Sequence, residues 1–217
     1  MKIGTDGVLL GAWIDVEGAQ RILDIGTGTG LIALMAAQRN ASAHVVAVEL
    51  DVAAASQAAA NAASSPFADR IIVSQCAIQD YTSDHLFDVI VSNPPFYSAH
   101  VKSPDAQRAL ARHEDSLTAA ELFRAAERLL ARAGVFSLIW PAEGQSMLCA
   151  IAHEFGLHCI RSWKVYPNSQ KSAHRVLLSF SRQPAPCDEG ELTLEGEERG
   201  IYTEPYRALV RLFYLGM

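Results

Sequence analysis

Leu23–Gly30 (LDIGTGTG) decides the fold, because an apolar run ends there in three alternate glycines. Arg21–Gly26 is predicted as a short buried strand and Gly30–Arg39 as a helix, so the glycines join a strand to a helix. Glycine lets the backbone adopt positive φ and approach a ligand closely. In a parallel sheet, the turn from a strand into a helix is where nucleotide-like ligands bind.

The alternation of strands and helices continues to about residue 156. Further strands are predicted at His44–Leu50, Arg70–Cys76, Phe87–Ser92 and Val135–Trp140, and further helices at Val52–Ala63, from the Thr118–Glu121 capping box to about Ala133, and at Gln145–Phe155. The Thr118 helix should bury Leu122, Ala126, Leu129 and Ala133 and end at Gly134.

The end of the chain departs from this alternation. Cys159–Tyr166 and Val176–Ser181 are predicted to form an antiparallel hairpin at one sheet edge, followed by an acidic turn or short strand at Glu191–Glu198 and a terminal helix at Pro205–Tyr214. We therefore predict an α/β, Rossmann-like fold with a seven-stranded, mostly parallel sheet, a late antiparallel strand and helices on both faces. Residues 1–217 should form a single domain.

Composition narrows the class of protein. Half of the 217 residues are hydrophobic, which is enough for a sizeable core, and no apolar run approaches the roughly 18 residues that span a membrane. The four cysteines match no zinc pattern, so we expect them to be structural thiols and expect no metal. We also expect a reducing, cytoplasmic location.

The net charge of −6 arises in residues 1–99, with 4 Lys and Arg against 10 Asp and Glu, whereas residues 155–187 contain five basic residues and no acid. That basic stretch is either a solvated face or a phosphate-contacting surface.

The glycine loop has two interpretations. Gly28-x-Gly30-x-x-Ala33, with Glu49 lying 19 residues beyond Gly30, fits a dinucleotide site. Asp24 stands just before the glycines, where it would repel a pyrophosphate but could hold the α-ammonium of S-adenosylmethionine. Glu49 would then accept hydrogen bonds from both ribose hydroxyls, and we favour the methyl donor.

Ser92–Phe96 (SNPPF) follows the fourth predicted strand. Two prolines fix the backbone and remove two N–H donors, which leaves the Asn93 side-chain oxygen and the Pro94 carbonyl as acceptors. Such a pair can grip both N–H bonds of a planar amino group and aim its lone pair at a methyl group, with Phe96 stacking on the base. We therefore predict Asn93, Pro94, Pro95 and Phe96 as the catalytic residues.

These motifs resemble a known family. Met1–Trp13 (MKIGTDGVLLGAW), the glycine loop, Val91–Phe96 and Phe213–Met217 (FYLGM) together resemble the bacterial methyltransferases that modify N6 of an adenine beside the anticodon of valine tRNA. The resemblance covers essentially the whole chain and implies a class I methyltransferase fold that uses S-adenosylmethionine. In those relatives a segment rich in aromatic and basic residues precedes the stretch that begins here at Met1, so we expect either a truncated or mis-assigned start or a member that lacks the segment.

The resemblance also implies site residues. The donor should be held by Thr5, Asp6, Asp24, Gly26, Gly28, Gly30, Glu49, Leu50, Ala77, Ile78, Asp80 and Asn93. The family more often has Tyr at the position of Phe96, which brings in guanine-N2 methyltransferases of ribosomal RNA; a protein-glutamine N5 methyltransferase and an inactive RNA-binding module are further alternatives.

The expected partner is transfer RNA, bound by a monomer. The candidate RNA contacts are Lys102, Arg108, Arg112, His113, Lys164, Lys171 and Arg175.

Overall fold

A computed structural model describes residues 4–95, 117–196, 198 and 200–214 of the chain. Its strands are β1 (Arg21–Ile25), β2 (His44–Glu49), β3 (Ile71–Gln75), β4 (Phe87–Ser92), β5 (Leu130–Pro141), β6 (His158–Tyr166), β7 (Arg175–Ser181) and β8 (Asp188–Thr193). Its helices are α1 (Thr5–Trp13), α2 (Leu31–Arg39), α3 (Val52–Ala63), α4 (Ala119–Leu129), α5 (Gln145–Glu154) and α6 (Glu204–Val210). No helix in these ranges has the length and apolarity needed to cross a bilayer.

The strands form one sheet in the order β3-β2-β1-β4-β5-β7-β6-β8. β1 to β5 are parallel, and β7 pairs antiparallel with both β5 and β6. The eight residues between β6 and β7 are too few for a crossover helix, so the chain must turn back on itself. The predicted Rossmann-like architecture, a mostly parallel sheet with a late antiparallel strand and helices on both faces, is confirmed.

The sheet has eight strands rather than the seven predicted. β8 pairs in parallel with β6 and forms the sheet edge, so the β6–β7 hairpin is not itself at the edge. Leu192 is buried, whereas Asp188, Glu189 and Glu191 point outward from the edge strand. The prediction of a turn or short strand at Glu191–Glu198 left this strand undecided and its start unmarked, because charged side chains obscure the alternation in a strand that buries so few residues.

The end of α4 also differs from the prediction. The capping box is present, and Leu122, Ala126 and Leu129 are buried as expected, but the helix ends at Leu129 and Ala133 is exposed. Gly134 does not stop a helix: it lies inside β5, where a Cβ would come within 2.9 Å of the Phe87 carbonyl oxygen. The glycine therefore permits a close approach of β5 to β4 at the irregular start of their pairing.

Helix α1 was not predicted from the sequence. Gly7 to Trp13 are all buried, and a helix buried on every side shows no amphipathic period. A Cβ on Gly11 would lie 2.7 Å from the Met35 sulfur, and a Cβ on Gly7 would lie 3.1 Å from the Leu31 side chain. The two glycines, one helical turn apart, therefore let α1 pack directly against α2.

Both faces of the sheet are covered. Ile22, Val89 and Val91 pack with α1, α2 and α6, whereas Leu23 and Ile90 pack with α4 and α5. Alternate residues of β1 and β4 thus enter opposite cores, as expected for a parallel sheet between two helical layers. This arrangement places the carboxyl ends of β1, β2 and β4 side by side.

Candidate active site

The loop between β1 and α2 takes its shape from its glycines. Gly26, Gly28 and Gly30 have φ values of 68°, 59° and 85°, in the left-handed region that other residues rarely adopt. A Cβ on Gly30 would also lie 3.4 Å from the Cβ of Ala58 on α3. Among the described residues, no atom lies within 4 Å of a Cβ placed on Gly26, so the backbone there faces open space.

Asp24 lies beneath this loop and is 1% exposed. Its Oδ2 accepts hydrogen bonds from the Thr27 hydroxyl at 2.5 Å and from the Ala33 N–H at 3.1 Å. Its Oδ1 is buried and has no hydrogen-bond partner in the described part of the chain. Burial raises the pKa of Asp24 to about 7, although the bonds from Thr27 and Ala33 oppose this rise. Asp24 therefore orders the loop through one oxygen and keeps a second acceptor unsatisfied.

Glu49 closes the other side of the loop. Its Oε2 accepts from the Gly28 N–H at 2.8 Å and its Oε1 from the Asp51 N–H at 2.9 Å. A carboxylate has about four lone-pair sites, so two remain for a ligand. Glu49 is partly buried, and the next residue, Leu50, is 51% exposed.

The turn after β3 lies beside Glu49. The Cys76 N–H donates to the Glu49 carbonyl at 3.1 Å, so the predicted donor-binding residues Ala77, Ile78 and Asp80 follow directly. Ile78 is buried in the core, Ala77 is partly buried, and Asp80 is exposed. Their contacts with a donor stay a prediction.

Asn93 leaves β4 next to the glycine loop. Ser92 is in register with Ile25 and donates its hydroxyl to the Ile25 carbonyl at 2.9 Å, so Asn93 and Gly26 follow on adjacent strands. The Asn93 Nδ2 lies 3.6 Å from the position of a Cβ on Gly7, so α1 borders the site. Pro94 is buried and Pro95 exposed, and Phe96 is outside the described residues.

The first turn of α1 is joined to the first residue of β7 by an ion pair. Asp6 Oδ2 accepts from Arg175 Nε at 2.8 Å, and both side chains are about one-quarter exposed, at 27%. Thr5 is exposed beside them. Asp6 was predicted as a donor ligand and Arg175 as an RNA contact, but the structure brings the two together as an ion pair. Either role for these residues stays a prediction.

Some of the basic residues in the stretch 155–187 form ion pairs within the chain. Arg161 pairs with Asp188 and stacks on Trp13 and Trp163, and Arg182 contacts Glu127. Lys164 and Lys171 are exposed and form no ion pair with any residue in the described ranges. The remaining RNA candidates Lys102, Arg108, Arg112 and His113 lie outside the described residues.

These features fit a ligand with the groups of S-adenosylmethionine. The unsatisfied Asp24 oxygen suits an ammonium group, Glu49 has acceptor sites left for ribose hydroxyls, and Gly26 exposes backbone between them. A dinucleotide would place its pyrophosphate at the glycine loop above Asp24, where an ionised carboxyl would repel it.

Comparison with known proteins gives the family. The sequence model of the methyltransferase small domain family matches residues 3–158. The tRNA1(Val) (adenine(37)-N6)-methyltransferase of Phocaeicola vulgatus is 48% identical over 217 residues, which cover all of this chain and 92% of the relative. The chain is a member of this family. The protein of the same name from Aeromonas hydrophila is 44% identical, again over all of this chain and 92% of the relative.

A solved structure supports the fold independently. The crystal structure of a predicted O-methyltransferase from Agrobacterium tumefaciens has a TM-score of 0.73, with 20% identity, over 95% of this chain and 96% of that one. This neighbour supports the predicted fold, and membership of the family supports the predicted methyltransferase activity and methyl donor.

Residues that shape the site without binding a ligand were not predicted from the sequence. Thr27 and the Ala33 N–H hold Asp24, and Gly7 lets α1 approach Asn93. The repeat of glycine at positions 7 and 11, one helical turn apart, was the available signal for a close helix contact.

Replacing Glu49 should weaken donor binding. We expect Glu49→Ala to raise the Kd for S-adenosylmethionine about tenfold or more, because charge-assisted hydrogen bonds to a ribose contribute on the order of 1.5–3 kcal/mol. Isothermal calorimetry measures this affinity. Asp51→Ala is the matched control, since it removes the neighbouring carboxylate that caps α3 and should leave the Kd within about twofold. Equal affinities of Glu49→Ala and wild type would remove Glu49 from the donor site.

Proposed function

We propose that this chain transfers a methyl group from S-adenosylmethionine to the N6 amino group of an adenine in tRNA, at the purine just 3′ of the anticodon of a valine tRNA. Methyltransferases named for adenine 37 of this tRNA are 48% and 44% identical to this chain over its whole length, which supports the substrate. The observation in the structure that carries the chemistry is the position of Asn93, beside the glycine loop and against α1.

The acceptor amino group is a poor nucleophile, because its lone pair is delocalised into the adenine ring. The Asn93 oxygen and the Pro94 carbonyl can each accept one of its N–H bonds, which favours a pyramidal nitrogen with its lone pair directed away from both acceptors. Pro94 is buried and restricts the backbone at this point, so the two acceptors are held in place before the base enters. Phe96 would stack on the base and add roughly 1–3 kcal/mol of binding.

The donor side is organised by different residues. S-adenosylmethionine, when bound, supplies a methyl group activated by its sulfonium. Asp24 and Glu49 would hold the ammonium and ribose ends, beside the end of β4 that carries Asn93. Rate acceleration then comes from positioning and aligned dipoles rather than from a strong base.

Mapping the modified nucleoside tests this function. Transfer RNA from cells that lack the gene should lose N6-methyladenosine beside the anticodon of valine tRNA, and wild-type chain should restore it whereas Asn93→Ala should not. A panel with labelled donor should then show label in transfer RNA and none in ribosomal RNA or protein. Label on guanine N2 or on a protein glutamine would overturn the proposed acceptor in favour of those alternatives.

We further propose that residues 1–217 act as one domain, as a monomer in the cytoplasm. One sheet carries both cores, which supports a single folding unit. Transfer RNA as substrate supports the location.

Lys171 should contribute to RNA binding. It lies on the turn between β6 and β7. Because β6 is antiparallel to β7 and β7 is antiparallel to β5, this turn is at the same end of the strands as Asn93. We expect Lys171→Glu to weaken transfer RNA binding and to reduce the slope of log K against log salt by roughly 0.7–0.9 for the lost phosphate contact. Filter binding at several salt concentrations measures both.

Lys164→Glu is the comparison for this test. Lys164 is in register with Glu191 and lies near Glu189, so neighbouring acids already offset its charge. Its substitution should change RNA affinity less than that of Lys171. If both variants keep the wild-type slope, the hairpin is a solvated face and takes no part in RNA capture.

A further inference from the structure

Three of the four cysteines gather at the end of the sheet opposite the active site. Cys159 is the second residue of β6, Cys187 immediately precedes β8, and Cys149 lies on α5. The Cys159 and Cys187 sulfur atoms are 3.9 Å apart, and Cys149 is near enough to both to affect their pKa values. None of the three is in a disulfide. The methyl-transfer site, at the carboxyl ends of β1, β2 and β4, makes no use of them.

We propose that Cys149, Cys159 and Cys187 form an oxidation site in which hydrogen peroxide closes a disulfide between Cys159 and Cys187. The two sulfur atoms must approach from 3.9 Å to the roughly 2.05 Å of a disulfide. Cys187 is exposed and lies in the irregular segment between β7 and β8, so its side chain has room to turn. The bond would link β6 to the edge strand β8.

The cluster also provides a reactive first thiol. The neighbouring Cys159 thiol lowers the pKa of Cys149 to about 7, while the same contact and burial raise the pKa of Cys159. Cys149 therefore has a larger thiolate fraction at neutral pH than a thiol with the ordinary pKa of about 8.5. Since the thiolate is the nucleophile, Cys149 should react first with a peroxide.

The reaction balances in three steps. The Cys149 thiolate attacks peroxide: an S–O bond forms, the O–O bond breaks, and hydroxide leaves and is protonated to water. The Cys159 sulfur then displaces the second water, which takes the Cys159 proton, and a Cys149–Cys159 disulfide forms. The Cys187 thiolate finally attacks Cys159 and releases Cys149. Two thiols have lost two electrons and two protons, and one peroxide has become two waters.

The last step has a direction for a chemical reason. A thiol of lower pKa is the better leaving group in thiol–disulfide exchange, and Cys149 has the lowest pKa of the three because burial raises that of Cys187. Exchange should therefore end with Cys149 reduced and with Cys159 bonded to Cys187. A thiol reductant should reverse the product.

Mass spectrometry after controlled oxidation tests the proposal. The full chain is treated with a small molar excess of hydrogen peroxide, alkylated and digested. We expect a linked peptide that joins Cys159 to Cys187, removable by a thiol reductant, while Cys76 stays alkylated. Cys76 is an internal control because it is also partly buried and its sulfur has a serine hydroxyl, rather than a cysteine, at 3.6 Å.

Serine variants separate the roles. Cys187→Ser should stop the reaction at a Cys149–Cys159 link, Cys159→Ser should abolish all internal links, and Cys149→Ser should slow the Cys159–Cys187 link about tenfold or more. Cys76→Ser should match wild type. Separate oxidation of each cysteine without a linked peptide would overturn the site, and a wild-type rate in Cys149→Ser would overturn the role of Cys149. Circular dichroism of each variant establishes that it is folded.

Discussion

Asn93→Ala should lower kcat for methyl transfer by about 10²–10³-fold while the affinity for S-adenosylmethionine stays close to wild type. Removing one preorganised hydrogen-bonding group that acts on the reacting centre has an effect of this size in other enzymes. The Asn93 oxygen is needed most when the amino nitrogen becomes pyramidal, so its loss should affect the transition state more than the ground state. Single-turnover transfer from labelled donor measures the chemical step, and calorimetry measures the donor Kd.

Two further variants make this result specific. Asn93→Asp keeps an acceptor oxygen and should fall between wild type and alanine. Asn61→Ala is a matched control, because Asn61 donates to the Thr29 carbonyl at 2.9 Å and supports the glycine loop from α3 without reaching the end of β4. Normal turnover in Asn93→Ala, or an equal loss in Asn61→Ala, would contradict a direct role for Asn93.

Much of the fold was predictable because local signals and tertiary structure agree. The strand Phe87–Ser92 and the helix Val52–Ala63 are observed with the predicted bounds. β1 could be recognised because it is an apolar run followed by glycines, and α4 because a capping box precedes an amphipathic face. In each case residues next to the element mark where it begins or ends.

The failures have one cause, which is that the deciding contact lies far away in sequence. α1 shows no helical period because two helices and the sheet bury it from all sides, and Gly134 suggested a helix end because its real neighbour is the backbone of β4. β8 exists because β6 offers it a partner, not because its acidic sequence favours a strand. Propensity within a short window cannot register such contacts.

The candidate site likewise contains residues whose positions were predictable from the sequence and one contact that was not. The positions of the glycine loop, Glu49 and Asn93 were predictable because each lies at or directly after the end of a strand, and the carboxyl ends of neighbouring parallel strands meet. The pairing of Asp6 with Arg175 joins residues 169 positions apart and could not be inferred from either neighbourhood. For the same reason nothing in the sequence indicated that Arg175, predicted as an RNA contact, also pairs with Asp6.

The buried carboxyl of Asp24 leads to the last prediction, a pH-dependent stability that Asp24→Asn should remove. Burial raises the folded-state pKa of Asp24 to about 7 from its ordinary value of 3.8, so between these two values the folded chain holds a proton that the unfolded chain has released. Stability from this group is therefore greatest below about pH 4, falls as the pH rises through this window, and falls no further above about pH 7.

At 1.36 kcal/mol per pH unit, raising the pH from 5 to 8 should destabilise the wild type by about 2–3 kcal/mol relative to Asp24→Asn, whose amide cannot ionise. Urea unfolding of the ligand-free chain at pH 5, 6, 7 and 8 measures the difference. Asp51→Asn is the matched control: it replaces an exposed carboxylate by an amide that also caps α3, and it should keep the wild-type pH dependence. Saturating S-adenosylmethionine should flatten the wild-type curve, because its ammonium beside Oδ1 would stabilise the ionised carboxyl. Parallel curves for wild type and Asp24→Asn would show that Asp24 ionises as easily in the folded chain as in the unfolded one, and the unsatisfied oxygen would then give no reason to place the ammonium there.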